Sequence, residues 1–330
     1  VALIRGPKDT LVRLELIPTG KGPDANSKII RITRDKIKLE EQAAKMSIIE
    51  IKRLEQPIRI GVIQIPTFYI DFEGRSRGDS DYRSTTRDTR KLIDELKFSN
   101  VDGLVIDLRG NGGGALTEAI SLSGLFISSG PIIQIRDARG RIRPRNDPDK
   151  GIAYNGPLAV LVDRASASAS EIFAGAMQDY RRGLIIGEPT FGKGTVQNLI
   201  DLDRYSEDDS PVGQLKITTA QFFRIDGNST QHRGIVPDIV LPMTVDSETQ
   251  GERGLNHALP WAKIAAAKFQ HFSDASVVNE LLSAKTAHEA RLAIHPSLLF
   301  LRRNAALDRR IEKQKSVSLL ELPRRNEKQR

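Results

Sequence analysis

Apolar strands that run into glycine- or serine-rich turns and then into helices recur along this chain of 330 residues. In one unit the apolar residues 104–108 lead into four glycines and a helical pattern over residues 115–126. In another, residues 158–162 lead into a serine-rich run and a second helical pattern. Short apolar strands that alternate with amphipathic helices are typical of α/β folds. We therefore predict an α/β fold with a central sheet flanked by helices.

The remaining elements follow from the same patterns. A helix is predicted over residues 85–98, and strands are predicted at residues 29–32, 58–66, 132–136, 184–186, 196–202 and 214–224. We expect the last three strands to complete the sheet. After Pro242 the composition shifts to Ala, Leu and Lys, which predicts helices at residues 261–269, 277–288 and 296–310.

Ser168 and Lys193 form a candidate catalytic pair. Ser168 falls near the start of the helix after residues 158–162, and Lys193 stands between two glycines. A serine hydroxyl needs a neighbouring base, and a lysine serves only when burial or positive charge lowers its pKa from about 10.4. Unpaired N–H groups at a helix start can stabilise an oxyanion. The pair therefore predicts a Ser-Lys hydrolase.

The same serine has a purely structural interpretation. Ser168 and Glu171 fit a capping box, in which the serine only bonds the backbone. From this stretch alone both interpretations stay open. Ser166 and Ser170 are alternative nucleophiles, and we assign them instead to polar groups of the loop and of the first helical turn.

Four glycines, at residues 110 and 112–114, follow the strand at residues 104–108. Backbone N–H groups in such a turn can bind an anion. The spacing up to Ala115 matches a loose dinucleotide-binding pattern. However, Gln134 and Arg136 occupy the strand where an acidic residue would bind the ribose. A peptide oxyanion is the other candidate anion.

Residues 187–193 nearly match a phosphate-binding loop. Gly194 stands where Ser or Thr would bind magnesium, and residues 195–202 predict a strand where such a loop requires a helix. We therefore expect no nucleotide cofactor.

The histidines predict no metal site, because they form no HExxH motif and pair with no acidic residue on one helix face. They are His232, His257, His271, His288 and His295. His232 lies within the predicted core, and we expect it in a surface loop rather than in a catalytic triad. The chain has no cysteine, which excludes disulfides and thiol catalysis.

The formal net charge of +8 is concentrated at the C-terminal end, where residues 301–330 hold ten Lys/Arg against four Asp/Glu. Without interleaved aromatic residues, this run predicts a solvated tail rather than a nucleic-acid surface. No apolar run of transmembrane length occurs, and the chain begins without a methionine or a signal peptide.

Several motifs in order resemble the C-terminal processing peptidases. They are SASASE at residues 166–171, GEPTFGKGTVQ at 187–197, DLRGNGGGALTEA at 107–119 and GIVPDIVLP at 234–242. Two further motifs, IPTFYIDF at 65–72 and FAGAMQDY at 173–180, are similar to the tail-specific branch of that family. The resemblance extends from residue 1 to about residue 310.

The resemblance implies roles for individual residues. Ser168 would be the nucleophile, Lys193 the general base and Gln197 the residue that orients the lysine. Asp179 matches an aspartate implicated in the tail-specific branch. Eleven residues of helix place it about 16 Å from Ser168, beyond contact, so we expect a supporting role. Oxyanion donors would be the Ala169 amide and one amide among Gly112, Gly113 and Gly114.

The resemblance also implies three parts. Residues 1–18 would be the C-terminal remnant of a PDZ domain, a module that binds C-terminal carboxylates at a sheet edge. Residues 19–242 would be a protease core of the crotonase/ClpP-like kind, and residues 243–330 a helical C-terminal region with a basic tail. Because the earlier PDZ strands are missing, we expect the chain to be a fragment whose remnant does not bind tails.

The resemblance thus implies an ATP-independent serine endopeptidase of the bacterial periplasm that trims or degrades proteins from unstructured C-terminal regions. It implies polypeptide substrates, an adaptor lipoprotein, peripheral membrane association, no nucleic-acid partner and no cofactor. The alternative is a catalytically impaired or regulatory fragment that binds partners without cutting them.

Overall fold

A computed structural model describes residues 4, 6–17, 27–34, 42–52, 56–149, 151–205, 212–242, 251–272, 275–312, 316 and 319–329. The chain divides into two compact units, Val1–Gln42 and Ala43–Arg330. In the first unit, strand β1 (Leu11–Leu16) pairs antiparallel with strand β2 (Lys28–Thr33). Strand β2 contains the strand predicted at residues 29–32.

The second unit mixes strands and helices. Its strands are β3 (Lys45–Ile51), β4 (Ile58–Gln64), β5 (Gly103–Asp107), β6 (Pro131–Asp137), β7 (Ile142–Asn146), β8 (Leu158–Val162), β9 (Leu184–Gly187), β10 (Thr195–Asp201), β11 (Gln214–Phe223) and β12 (Ile239–Val240). Its α-helices are α1 (Phe72–Ser76), α2 (Thr85–Phe98), α3 (Leu116–Gly124), α4 (Ala169–Asp179), α5 (Ala275–Ile294), α6 (Pro296–Glu312) and α7 (Glu321–Gln329).

Two sheets organise this unit. The central sheet has six strands in the order β12-β9-β8-β5-β4-β3, and its neighbours are parallel except for the antiparallel pair β3 and β4. The second sheet is antiparallel, in the order β10-β11-β6-β7. The predicted α/β fold with a central sheet and helices is confirmed.

Three of the predictions need correction. The strands predicted at residues 196–202 and 214–224 exist, but as β10 and β11 they form the second sheet with β6 rather than completing the central one. Strands β3 and β7 were not predicted. The helix predicted over residues 261–269 is absent, because tertiary hydrogen bonds hold this segment extended. Ile264 N–H donates to Gly227 O at 2.9 Å, and Ala267 N–H donates to Ile225 O at 2.8 Å.

The core lies between the central sheet and its helices. Ile106, Val160 and Ile185 on neighbouring parallel strands are fully buried, as expected for strands covered on both faces. Helix α4 contributes Phe173, whose ring meets Phe126 edge-on at a centroid distance of 5.7 Å. This packing fixes α4, and therefore the residue before its first turn, against the ends of the parallel strands.

The C-terminal helices α5, α6 and α7 belong to the same unit. Lys285 on α5 lies 3.8 Å from the carboxylate of Asp238, which immediately precedes β12. None of the helices in the described ranges combines the length and the apolar character needed to cross a membrane.

Candidate active site

Ser168 occupies a sharp turn between β8 and α4. It is the residue before the first turn of α4 and has φ 55° and ψ −109°. Positive φ is uncommon outside glycine, and such conformations persist only where the surrounding structure enforces them. Helix-capping residues ordinarily have an extended backbone, which Ser168 does not have. The turn therefore presents this side chain at a helix N-terminus at a cost in backbone strain.

The two neighbouring serines are buried and hydrogen-bonded. Ser166 Oγ donates to Leu108 O at 2.8 Å, and Ser170 Oγ donates to Asn111 O at 2.8 Å. Ser168, in contrast, is partly exposed and lines a cavity. Of the three serines in the run, Ser168 is therefore the one open to a ligand.

The glycine loop after β5 packs against this serine turn. Asn111 is fully buried, and its carbonyl accepts from Ala167 N–H at 3.0 Å. Gly113 has φ 105°, and a Cβ built there would lie 2.9 Å from both Ala167 O and Ser168 Cβ. Only glycine fits this close approach. The Gly113 amide already donates to Asn111 Oδ1 at 2.8 Å.

The Glu171 carboxylate joins the serine turn to the lysine loop (residues 191–194). Its Oε2 accepts from the N–H groups of Ser168 at 2.8 Å and Lys193 at 3.0 Å. Its Oε1 accepts from Thr190 Oγ1 at 2.6 Å and from Gly192 N–H at 2.7 Å. Complete burial raises the pKa of Glu171 to about 7, although these four donors oppose the rise.

The Lys193 amine is held by a neighbouring strand. Its Nζ donates to Gln197 Oε1 at 3.0 Å. A register shift in the pairing of β10 with β11 occurs between Val196 and Gln197. Such bulges re-aim side chains beside functional sites. Burial lowers the pKa of Lys193, and the positive charge of Lys216 lowers it further.

Ser168 and Lys193 face a common cavity of about 560 Å³. Its polar lining includes Lys216, Gln197, Asn198, Thr117 and Thr195, and its apolar lining includes Phe72, Leu116, Ile172, Val196 and Phe222. Ala169, Gly112 and Gly114 also line it, whereas Gly113 does not. Among the residues that the structure describes, the lining contains two lysines and no carboxylate, so the cavity favours apolar or anionic groups.

Asp179 lies elsewhere. It is the last residue of α4, and its buried carboxylate forms an ion pair with Arg224, just after β11. Burial raises the pKa of Asp179, and Arg224 opposes the rise. Asp179 is not among the residues lining the cavity, in keeping with the distance expected from helix geometry.

His232 lies beside the lysine loop. Its backbone N–H donates to Gly192 O at 2.8 Å. His232 is not among the described residues that line the cavity. Within the same ranges, no group of three or more His, Asp or Glu side chains is placed to bind a metal ion. Strand β10 follows Lys193 directly, so no helix dipole faces the lysine loop from that side.

Sequence reasoning missed three residues of this site. The sequence pattern indicates Glu171 only as a partner of Ser168, does not single out Asn111, and places Lys216 within a strand. Glu171 carried the clearest signal, since a glutamate followed on its helix face by the small residues Ala174 and Gly175 needs partners when buried. Nothing in the sequence pattern indicated that Lys216 would approach Lys193.

Two family models match consecutive parts of the chain. Peptidase family S41 matches residues 59–241, and the C-terminal domain of tail specific protease matches residues 245–330. The tail-specific protease of Haemophilus influenzae is 43% identical over 303 residues, which cover 91% of this chain and 41% of that protein. The carboxyl-terminal-processing peptidase 2 of Arabidopsis thaliana is 30% identical, covering 75% of this chain and 43% of that protein.

A solved structure is also similar. The photosystem II D1 C-terminal processing protease superposes with a TM-score of 0.50 at 28% identity, covering 77% of this chain and 62% of that one. This chain spans less than half the length of the Haemophilus and Arabidopsis proteins.

Proposed function

The chain belongs to peptidase family S41, and on that premise we propose that it is a serine endopeptidase with Ser168 as nucleophile and Lys193 as general base. One observation carries the proposal. The open serine of the strained turn and the lysine held by Gln197 line the same cavity. A nucleophile beside an oriented base is the arrangement that covalent acyl transfer requires.

The reaction follows from this arrangement. Lys193 Nζ, in its neutral form, takes the proton of Ser168 Oγ as that oxygen attacks the substrate carbonyl carbon. The tetrahedral intermediate collapses, the C–N bond breaks, and the ammonium returns the proton to the leaving amine. Lys193 then removes a proton from water as the water oxygen attacks the acyl-serine ester. The bond between the acyl carbon and Ser168 Oγ breaks, the ammonium of Lys193 returns the proton to Ser168 Oγ, and the second product leaves as a carboxylic acid.

The oxyanion formed in each step needs donors. We assign the Ala169 amide, at the first position of α4, and one of the amides of Gly112 and Gly114, which line the cavity. Gly113 was equally a candidate from the sequence, but its amide is already bonded to Asn111. We therefore give Gly113 a packing role.

Gln197 and the charge of the cavity support the base. The Gln197 carbonyl accepts a hydrogen bond from Lys193 and fixes the direction of the amine. Burial and Lys216 lower the pKa of Lys193, which enlarges the neutral fraction available to take a proton.

We extend the proposal to the substrate and the setting. The names of the relatives, tail-specific protease and carboxyl-terminal-processing peptidase, support cleavage near the C-termini of polypeptides. We propose further that these ends are unstructured and that cleavage does not use ATP. Consistent with the sequence expectations, we propose a periplasmic location and an adaptor lipoprotein as partner. The same proposal includes the three-part division. Residues 1–18 would be a PDZ remnant, residues 19–242 a crotonase/ClpP-like core and residues 243–330 the C-terminal region.

Cleavage of an unstructured polypeptide tests the dyad. The purified chain is incubated with a C-terminally tagged, unstructured protein, and the products are identified by mass spectrometry. We expect cleavage by the parent and by Ser166→Ala, the matched serine of the same run, and none by Ser168→Ala or Lys193→Ala. Cleavage that survives Ser168→Ala would overturn the dyad.

A binding-only role is the second outcome of the same experiment. If the folded parent binds the tagged protein and leaves it intact, the chain acts as a regulatory fragment. A serine-directed fluorophosphonate probe then shows whether Ser168 itself is reactive.

A further inference from the structure

The lysine loop is hydrogen-bonded from two opposite sides. Glu171 holds it from the serine turn, as described above. On the other side, Thr230 Oγ1 donates to Lys193 O at 3.0 Å, and His232 N–H donates to Gly192 O at 2.8 Å. The second side is contributed by the segment after β11 and by the strap (residues 251–272) that follows Pro242.

Three further hydrogen bonds, through Gln231 and Glu252, close a ring around Lys193. Gly194 N–H donates to Gln231 Oε1 at 2.8 Å, and Gln231 Nε2 donates to Glu252 Oε1 at 3.1 Å. The N–H of Glu252 then donates to Phe191 O at 2.9 Å. Gln231 is fully buried, so its amide depends on these partners for its hydrogen bonds. Both ends of the lysine loop are therefore connected through Glu252.

Glu252 lies outside the peptidase match. The S41 family matches residues 59–241, and Glu252 falls in the C-terminal domain match, residues 245–330. The strap is itself anchored to the core, because Ser229 N–H donates to Ala262 O at 3.1 Å and Trp261 Nε1 donates to Ser229 O at 3.0 Å. The C-terminal region therefore contacts the segments that hold the lysine loop, through Glu252 and through the bonds of the strap to Ser229.

We propose that Glu252 is a positioning residue for the Lys193 base, so that the C-terminal region supplies a working part of the active site. The inference rests on the proposed function, because it assigns to Glu252 the placement of the base used there. Glu252 does not line the cavity, and it acts through the Gln231 amide and through its charge.

Two physical effects follow from this position. Loss of the side chain leaves the buried Gln231 amide without an acceptor, which loosens its hold on Gly194. Loss of the charge alters the field at Lys193. The charged groups acting on that amine are Glu171 and Glu252, which favour its protonated form, and Lys216, which disfavours it. Removing the Glu252 charge therefore favours the neutral amine.

Two substitutions separate these effects. Glu252→Ala removes both the hydrogen bond and the charge, and we expect kcat to fall about 10-fold to 100-fold, with KM within about twofold of the parent. Glu252→Gln keeps an acceptor for Gln231, so we expect most of kcat to remain. The acid limb of its kcat/KM profile should move to lower pH. Lys263→Ala, an exposed charge change on the same strap, should behave like the parent.

A second readout does not depend on catalysis. Limited acetylation of the folded variants across a pH series, followed by mass spectrometry of the peptide containing Lys193, reports the neutral fraction of that amine. We expect Lys193 to be labelled about 3-fold to 10-fold faster in Glu252→Gln than in the parent at the same pH below the midpoint.

The two readouts distinguish the two proposals. If the parent cuts nothing, the proposed peptidase fails while the labelling still tests Glu252. Unchanged labelling in Glu252→Gln, or unchanged kcat in Glu252→Ala, overturns the positioning role. So does a loss of activity in Glu252→Ala that only follows the folded fraction measured by circular dichroism.

Discussion

Glu171 and Lys193 are separated by 22 residues in the chain, yet the Glu171 carboxylate accepts the backbone N–H of Lys193 at 3.0 Å. The same oxygen accepts the N–H of Ser168. One buried side chain thus sets the spacing between the backbone of the proposed nucleophile and that of the proposed base. Glu171, predicted only as the capping-box partner of Ser168, keeps that contact and also ties the two halves of the site together.

Replacing this carboxylate should destabilise the protein. In Glu171→Gln one oxygen becomes an NH₂ group that faces two N–H or O–H donors, leaving them unpaired in a buried site. We expect the free energy of unfolding to fall by about 2–4 kcal/mol at pH 7, measured by urea denaturation. Glu95→Gln, an exposed glutamate on α2, is the control. If Glu171→Gln and Glu95→Gln unfold with the same free energy, the four hydrogen bonds of Glu171 do not stabilise the protein.

The same residue predicts a pH dependence of stability. Burial raises the pKa of Glu171 from 4.5 to about 7 on folding, so the folded state binds a proton more tightly than the unfolded state. Below pH 4.5 this group makes its full contribution to the free energy of unfolding. That contribution, up to about 3 kcal/mol, is lost as the pH rises to about 7. Between pH 4.5 and about 7 the free energy of unfolding of the parent should fall with pH more steeply than that of Glu171→Gln. Parallel curves of the two proteins would contradict this.

Lys216 should set the working pH of the base. Burial and then the charge of Lys216 lower the pKa of Lys193, and Lys216→Gln removes that charge. The pKa of Lys193 should rise, and the acid limb of the kcat/KM profile should move to higher pH. Lys268→Gln, exposed on the strap, should leave the profile in place. A shift in the opposite direction, or none, would show that Lys216 does not act on the base.

Asp179 should matter for folding and leave the titration of the base unchanged. Asp179→Asn leaves Arg224 buried without its counter-charge, and we expect a loss of about 3 kcal/mol in the free energy of unfolding. The double substitution Asp179→Leu/Arg224→Leu should recover part of it. Whatever activity Asp179→Asn loses, the midpoint of the acid limb of its kcat/KM profile should be the same as in the parent. A displaced midpoint would show that Asp179 acts on the dyad.

Local patterns predicted the elements better than their partners. The apolar runs of β8 and helix α2 were predicted with their exact bounds, because strand and helix signals lie within the segment itself. The sheet to which β10 and β11 belong depends on pairing with β6, more than 50 residues earlier, which alternation does not encode. Residues 261–269 are rich in alanine, but backbone bonds to residues 225–229 override their helix propensity.

The site shows the same division. The distance of Asp179 from Ser168 along α4 follows from helix geometry, whereas Ser168 is singled out as the nucleophile by the family resemblance. The partners of Glu171 at residues 190–193 and the approach of Lys216 to Lys193 depend on how distant loops meet, so a single sequence cannot specify them. The bulge before Gln197 is likewise a property of the strand pair.

Ser168 follows a strand of the central sheet, whereas Lys193 leads into an edge strand of the second sheet. The backbone of Lys193 is tied to the serine turn by Glu171, whereas its amine is held by Gln197 on β10 of the second sheet. Fraying of the β10 edge on warming would release the Lys193 amine from Gln197 while the serine turn and the backbone of the lysine loop stay folded. Thermal inactivation should accordingly precede the main calorimetric transition, and cooling should restore activity as long as that transition has not been crossed.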